Sequence, residues 1–415
     1  MFLTDEEKKM HAGESGPGAQ RAIDLLVKYG NAFDAEKLVE VASAHVMIEG
    51  PYSFLRDMTE GATARTFVTT EAPLVSPCHL KLLGISVDFD IDTRVRLYQG
   101  RVDIAKRMGF YLTDTCAPYM VGSLPKKNDI VSWMESSAEV YINSMLGART
   151  NREAMSAALA SAVTGRTPYM GLLMPENRFA QVHVRLTDLD ADALTKVDYG
   201  TMGYYIGGLA GSRNVVIEGL PESMSLEQCK HLCSALPCTG SVALCHMVGL
   251  TPEANTLEQA LGNGRPEEVI EVGKKEMRQT WETLSTAGGE KVDLVTFGCP
   301  HCSIAEVAGI ARGLEGKRVH PEVKLFVGAP GQVISLAQRM GFAGIIEGAG
   351  GFLMDDCGGP ANPFLFFGKG IKTVATDSTK AAAYVPSVSE AQVFYGDMAH
   401  CIEASITGKW RGEPK

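Results

Sequence analysis

No uninterrupted apolar run in this chain approaches the roughly 18 residues that a membrane-spanning helix needs. The start, Met1-Phe2-Leu3-Thr4-Asp5-Glu6-Glu7-Lys8-Lys9, is charged at once and lacks the basic and apolar stretches of a secretory signal. A basic excess is missing too. Against 49 Asp and Glu stand 39 Lys and Arg, a net charge of −10, which argues against a nucleic-acid-binding face. No heptad persists and the glycines follow no period, so coiled-coil and collagen-like readings fail. There is no Gly-x4-Gly-Lys frame, no G-x-G-x-x-G opening a helix, no G-x-S-x-G elbow and no H-E-x-x-H. These absences predict a cytoplasmic globular protein with neither a membrane nor a nucleic acid as partner.

What is present is a chain of 415 residues, 45% apolar and 21% charged, enough for about two to three domains at roughly 150 residues each. Short apolar runs alternate with helical patterns. Thr4 and Glu7 form a capping box, Pro17–Tyr29 and Arg94–Met108 read as helices ending at glycine, and Lys37–Val46, Thr66–Thr70 and Lys81–Val87 are apolar runs. The Gly-rich stretch Gly207–Ser212 reads as an interruption, Pro266–Thr286 as one long polar helix and Gly344–Ile346 as a short strand. The alternation predicts an α/β fold of parallel sheets covered by helices. The best break is Ala287-Gly288-Gly289-Glu290. It divides an N-terminal α/β catalytic region, 1–286, of one or two subdomains, from a C-terminal α/β region, 287–415.

Ten cysteines need a use, and in a long cytosolic chain disulfides are the less common one. Cys116, Cys299 and Cys357 share a setting, at or near the end of a β element and beside Gly or Pro. Such loops are where α/β proteins build sites. Thiolates are the usual iron–sulfur ligands, and three of them could hold a cluster with one iron open; three unrelated buried thiols fit the spacing equally. Cys299 and Cys302 form a C-x-x-C, which allows a redox pair. Cys229, Cys233 and Cys238 allow a zinc-stabilised scaffold, although burial accounts for them as well.

Polar strings mark further candidates. Asn143-Ser144 and Gly147-Ala148-Arg149-Thr150-Asn151-Arg152-Glu153 are dense in hydrogen-bonding groups. Arginine suits carboxylate or phosphate recognition, while Asn151 could equally cap the next helix. Asp377-Ser378-Thr379-Lys380 follows a strand and opens a helix, a reasonable anion site.

Taken in order, several strings together resemble the large, catalytic subunit of the aconitase X family. They are Cys116-Ala117-Pro118-Tyr119, Glu135-Ser136-Ser137, Asn143-Ser144 with the Gly147–Glu153 string, Thr164-Gly165-Arg166-Thr167-Pro168-Tyr169 and Glu176-Asn177-Arg178. Gly240-Ser241-Val242-Ala243, Gly249-Leu250-Thr251-Pro252-Glu253-Ala254, Gly298-Cys299-Pro300-His301 and Asp377-Ser378 with Lys380-Ala381-Ala382 complete the set.

The resemblance implies an aconitase-superfamily core without the fused swivelling domain, and a hydro-lyase that works with an iron–sulfur cluster and a separate small swivelling-domain subunit. It implies cluster ligands at Cys116, Cys299 and Cys357 and a substrate pocket with Gly50, Pro73, Asn143, Ser144 and Lys380, to which the polar strings add Arg149, Asn151 and Arg152. An iron with an open position would act on the departing hydroxyl, and a base would take the neighbouring proton. Ser43, His45, Ser144 and Ser378 are its candidates.

Two substrates are known in the family, mevalonate 5-phosphate and cis-3-hydroxy-L-proline. The Gly147–Glu153 and Glu176–Arg178 strings look closer to the phosphomevalonate type. Two departures stand out. After Glu153 the family usually has Gly-Gly-Pro-Ser-Ala, where this chain has Ala154-Met155-Ser156-Ala157-Ala158, and the expected Asn-Pro reads Ala72-Pro73. The rival from another class is a non-catalytic iron–sulfur or redox-sensing protein built on Cys299 and Cys302.

Overall fold

A computed structural model describes residues 1–73, 91–357 and 370–412. The run Lys81–Val87 and Cys78 lie outside the described residues. Three parallel sheets follow one another along the chain. The first group of strands is β1 (Leu38–Glu40), β2 (Ser43–Val46), β3 (Phe67–Thr70), β4 (Val131–Trp133) and β5 (Arg166–Pro168). Of these, β3, β2 and β4 pair side by side in parallel, and β1 pairs with β5 antiparallel. The second sheet holds β6 (Val182–Leu186), β7 (Val215–Glu218), β8 (Cys245–Met247) and β9 (Glu268–Val272) in the order β8-β7-β6-β9. The third holds β10 (Leu294–Phe297), β11 (Lys324–Gly328), β12 (Phe352–Met354), β13 (Thr373–Thr376) and β14 (Gln392–Tyr395) in the order β12-β11-β10-β13-β14. The α/β expectation holds. Central strands such as β2 and β10 are buried at every position, as strands covered on both faces must be.

The third sheet reverses its direction of growth between β10 and β13. Such a switch point opens a crevice at the carboxyl ends of the strands, where α/β proteins bind ligands. Cys299 follows β10 and Ser378 follows β13, so the two stand on either side of it.

Three local expectations are corrected. The stretch 266–286 is not one helix. Alternation over β9 turns Ile270 and Val272 inward, and the helix Lys274–Leu284 starts only after Gly273, whose N–H donates to Glu276. Gly344–Ile346 lies inside the helix Phe342–Ala349, bounded by left-handed Gly341 and Gly350. Gly207 and Gly208 belong to the helix Lys196–Ala210 rather than interrupting it. Gly207 is glycine because a second helix, Leu226–Thr239, passes against it, as it also passes against Gly203. A Cβ on Gly207 would stand 2.2 Å from the Leu236 carbonyl oxygen, and one on Gly203 2.7 Å from that of Leu232.

A buried ion network joins the second and third sheets. Glu306, in the first turn of the helix Ile304–Leu314, meets Lys196 at 2.7 Å, Lys230 and His231. Lys196 also contacts Asp377 at 2.7 Å. Lys230 donates to the His301 carbonyl at 2.9 Å. Burial alone would raise the Glu306 carboxyl, but Lys196 and Lys230 more than offset it and hold it well below the usual range. No helix among the described residues is long and apolar enough to cross a membrane.

Backbone, not a flexible side chain, faces Gly207. Gly207→Ala is therefore expected to destabilise the fold by about 2 kcal/mol or more, read as a lowered denaturant midpoint.

Candidate active site

The carboxyl ends of the first and third sheets face each other. From the first come Glu71 just after β3, Cys116 on a following loop and Glu135 just after β4. From the third come Cys299 after β10, Cys357 after β12, and Ser378 with Lys380 after β13. The two sides are stitched together. The Cys357 N–H donates to the Pro73 carbonyl at 3.0 Å, and Lys380 Nζ meets Glu135 Oε1 at 2.5 Å.

His301 is the hub. It is fully buried. Its backbone N–H donates to Cys116 Sγ at 3.2 Å. Its Nε2 lies 3.1 Å from the Asp356 carbonyl oxygen, and its Nδ1 lies 3.1 Å from Thr115 Oγ1. A carbonyl can only accept, so Nε2 carries the proton and Nδ1 accepts from the Thr115 hydroxyl. Burial lowers the ring's basicity, which favours this neutral form. One imidazole thus fixes the loops that carry Cys116, Cys299 and Cys357.

The three thiols lie within electrostatic reach of one another. Burial pushes each of them up, Cys299 to about 11, and Lys380 opposes the shift in every case. Among the described residues, no three Cys, His, Asp or Glu side chains converge closely enough to hold a single ion. A cluster makes a different demand, since its thiolates bind separate irons and are tuned by hydrogen bonds to sulfur. Soft donors on three loops, with an N–H already aimed at one sulfur and a lysine whose charge reaches all three, meet it.

Three domain families, described as Aconitase X first, second and third domain, match residues 1–176, 180–282 and 292–407. The phosphomevalonate dehydratase large subunit of Methanocaldococcus jannaschii is 34% identical over 97% of this chain and 100% of its own. The chain belongs to the aconitase X family. The cis-3-hydroxy-L-proline dehydratase of Pseudomonas aeruginosa is 30% identical over 97% of this chain and 70% of its own. Aconitase X of Thermococcus kodakaraensis, solved in a holo-form, superposes with a TM-score of 0.85 at 31% identity, covering 98% of this chain and 100% of that one. As a member of the aconitase X family the protein is a hydro-lyase with an aconitase-like fold.

The residues singled out in the sequence divide into two groups. Cys116, Cys299, Cys357, Ser378, Lys380 and Pro73 come together in this aconitase X cleft. Ser378 Oγ donates to the Cys299 carbonyl and accepts the Ala381 N–H, capping the helix Thr379–Val388. His45 lies at the same end of the first sheet, with Nε2 2.8 Å from Glu71 Oε2 and Nδ1 2.9 Å from Thr69 Oγ1. Ser43 Oγ accepts from Trp133 Nε1 at 3.1 Å.

The second group is built into the scaffold. Asn143 and Ser144 sit in a π-helical turn, Ile142–Leu146, of the kind often found near sites. The Asn143 amide is nonetheless fully engaged. Its nitrogen donates to the Thr150 and Ala243 carbonyls, and its oxygen accepts from the Thr150 N–H and from Arg178. Ser144 Oγ accepts from the Cys245 N–H. Arg149 binds the Leu173 carbonyl and Asn128, and Asn151 binds Met170 and Leu172 backbone groups. Arg178 is a buried clamp on Glu253 and on the Asn143 and Ala148 carbonyls. Arg152 lines an outer pocket of about 710 Å³ with Arg21, Lys28 and Tyr29, away from the cysteine loops. Gly50 accepts from Arg101 and lies under Met155, whose methyl carbon would stand 2.6 Å from a Cβ at Gly50.

Cys229 and Cys233 are buried in the helix Leu226–Thr239 and pack into the second sheet's core. Cys302 lies in the third sheet's core, beside the Glu306 network. His301, Glu71 and Glu135 had no assigned role in the sequence. The only signal was that His301 and Glu135 fell inside the family strings.

The same scaffold buries Glu153, whose two carboxylate oxygens have no hydrogen-bond partner among the described residues. Burial pushes it up to about 7, with Asn151 opposing. The folded state then keeps a proton that the unfolded chain releases near 4.5, so stability is full at low pH and falls as pH rises towards 7. Glu153→Gln is expected to melt higher than the wild type at about pH 8 and close to it at about pH 4, by thermal denaturation at both values.

Proposed function

We propose that this chain is the catalytic large subunit of an iron–sulfur dehydratase that removes water from a small hydroxy acid. The observation that carries the proposal is the set of three strand-end thiols, Cys116, Cys299 and Cys357, tied to one another through His301. These thiols would hold the cluster. Bound there, it supplies a Lewis-acidic iron that eases departure of the hydroxyl.

The rest is the work of this chain's own groups. Lys380, with the N-terminus of the helix Thr379–Val388 beside it, offers positive charge to a substrate carboxylate. Ser378 is the proton acceptor best placed among the four candidates. It stands next to Cys299, and the Ala381 N–H and the helix N-terminus stabilise negative charge on its oxygen. Ser144, engaged with Cys245, and Ser43, engaged with Trp133, are positioning groups in this reading. The small swivelling-domain subunit expected from the resemblance, and named by implication in the large-subunit relatives, would close the open side of the cleft and exclude water.

The substrate expectation shifts. The strings that favoured mevalonate 5-phosphate contain Arg149, Asn151 and Arg178, which are engaged with backbone and Glu253. Their presence reports on the scaffold, and either relative's substrate remains compatible with them.

Cys116→Ala, Cys299→Ala and Cys357→Ala are each expected to abolish the visible absorption of the cluster, the iron and acid-labile sulfide per chain, and turnover, in protein purified anaerobically with its small partner. A variant that retained iron, sulfide and full activity would remove its cysteine from the ligand set.

A further inference from the structure

The stretch 377–380 is held from behind by a helix that belongs to another sheet. Ser378 and Lys380 serve the cleft. Thr379, between them, is buried, and its Oγ1 lies 2.6 Å from the hydroxyl of Tyr395. Tyr395 closes β14 in register with Thr376, the last residue of β13, and is fully buried. Its hydroxyl also lies 2.9 Å from the Val197 carbonyl oxygen and 3.2 Å from Thr201 Oγ1. Val197 and Thr201 are on the helix Lys196–Ala210, which packs into the second sheet's core.

The direction of each bond follows from the acceptors. A carbonyl oxygen only accepts, so the Tyr395 proton goes to Val197 and the Thr379 hydroxyl donates to the Tyr395 oxygen. Thr201 Oγ1 donates to the same Val197 carbonyl at 2.9 Å. One phenol thus links the first turn of the helix Thr379–Val388 to the backbone of a helix from the second sheet. Two further contacts run the same way. Lys196 meets Asp377 at 2.7 Å. Gly200 faces Thr379 so closely that a Cβ there would stand 2.1 Å from its Oγ1. Lys196, Val197, Gly200 and Thr201 follow the i, i+4 spacing of one helix face, and that face backs the stretch.

The two cleft residues depend on this backing unequally. Lys380 has an anchor across the cleft in Glu135. Ser378 Oγ is held by the Cys299 carbonyl and the Ala381 N–H, both on the third sheet's side, so its place follows the turn that Thr379 opens.

We infer that Tyr395 is a positioning residue: through Thr379 its hydroxyl sets where Ser378 stands, and with it the rate of proton removal rather than the capture of substrate. The inference rests on the reading of Ser378 above and deepens it.

The test uses the cluster-loaded complex with the small subunit and whichever of the two relatives' substrates the wild type dehydrates. Tyr395→Phe keeps the ring in its core and removes the link, and the Val197 carbonyl retains Thr201. Because a misplacement near 1 Å costs up to about 100-fold, kcat is expected to fall about tenfold or more. KM should stay within about threefold, as for an interaction that does not bind substrate, with the cluster absorption unchanged. Thr379→Val should lose as much, and the double variant no more than either single one. Thr379→Ser keeps the hydroxyl and should recover most of the rate. Tyr199→Phe removes another buried phenol of the backing helix, one bonded to the Ala191 carbonyl at 3.2 Å, and should leave kcat unchanged. Amide hydrogen exchange reads the placement without turnover: the first turn of the helix Thr379–Val388 should exchange about fivefold or more faster in Tyr395→Phe. Unchanged kcat in Tyr395→Phe, a loss confined to KM, additive losses in the double variant or unchanged exchange overturns the inference. Should the loaded wild type dehydrate no hydroxy acid, the dehydratase reading fails by itself, and the placement of Ser378 by Tyr395 stands or falls on the exchange.

Discussion

A buried carboxylate with two lysines holds the molecule's halves in register. Glu306 would be costly to bury alone, and Lys196 and Lys230 would be costlier without it. Together they fix where the second sheet's helices meet the third sheet. The network also reaches the site directly. Lys230 holds the His301 carbonyl, while the same residue's N–H and ring hold Cys116, Thr115 and Asp356. Asp377, in contact with Lys196, immediately precedes Ser378. The precision of the cleft therefore depends on ion pairs one layer behind it, in a region where water cannot compete for them.

Much of this architecture was legible in the sequence because it is local. Buried parallel strands are apolar runs, the capping box at Thr4 and Glu7 forms as its spacing requires, and thiols at strand ends stand out beside Gly and Pro. What was illegible depends on distant partners. Glu135 takes its meaning from Lys380, 245 residues away, and His301 from Thr115, 186 residues away. Gly207 reads as a break until the helix that needs its missing side chain is in place. The most instructive case is Asn143 together with the Gly147–Glu153 string. A density of hydrogen-bonding groups marks a demand for precise placement, and a scaffold turn makes that demand as readily as a ligand does. Asn143 meets it with all its bonds inside the protein.

The cleft itself is a problem in charge. Three thiols and two carboxylates gather around one lysine, and each is buried enough that its neighbours matter more than solvent does. In such a place specificity comes from what is left unpaired, because a ligand gains most where the protein has a deficit to fill. Arg149 and Arg178 stay outside that balance, engaged with backbone carbonyls, Asn128 and Glu253.

The distribution of the thiols along the chain also bears on how the protein is made. Cys116 belongs to the first sheet, and Cys299 and Cys357 to the third, with the whole second sheet between them. During synthesis the first sheet leaves the ribosome with a single thiol of the set, and nothing completes it until the last third of the polypeptide has emerged and docked. A nascent chain has no site to fill. If the three thiols hold the cluster proposed above, delivery of iron and sulfide would be confined to the finished molecule, and successful loading would double as an inspection of its long-range folding.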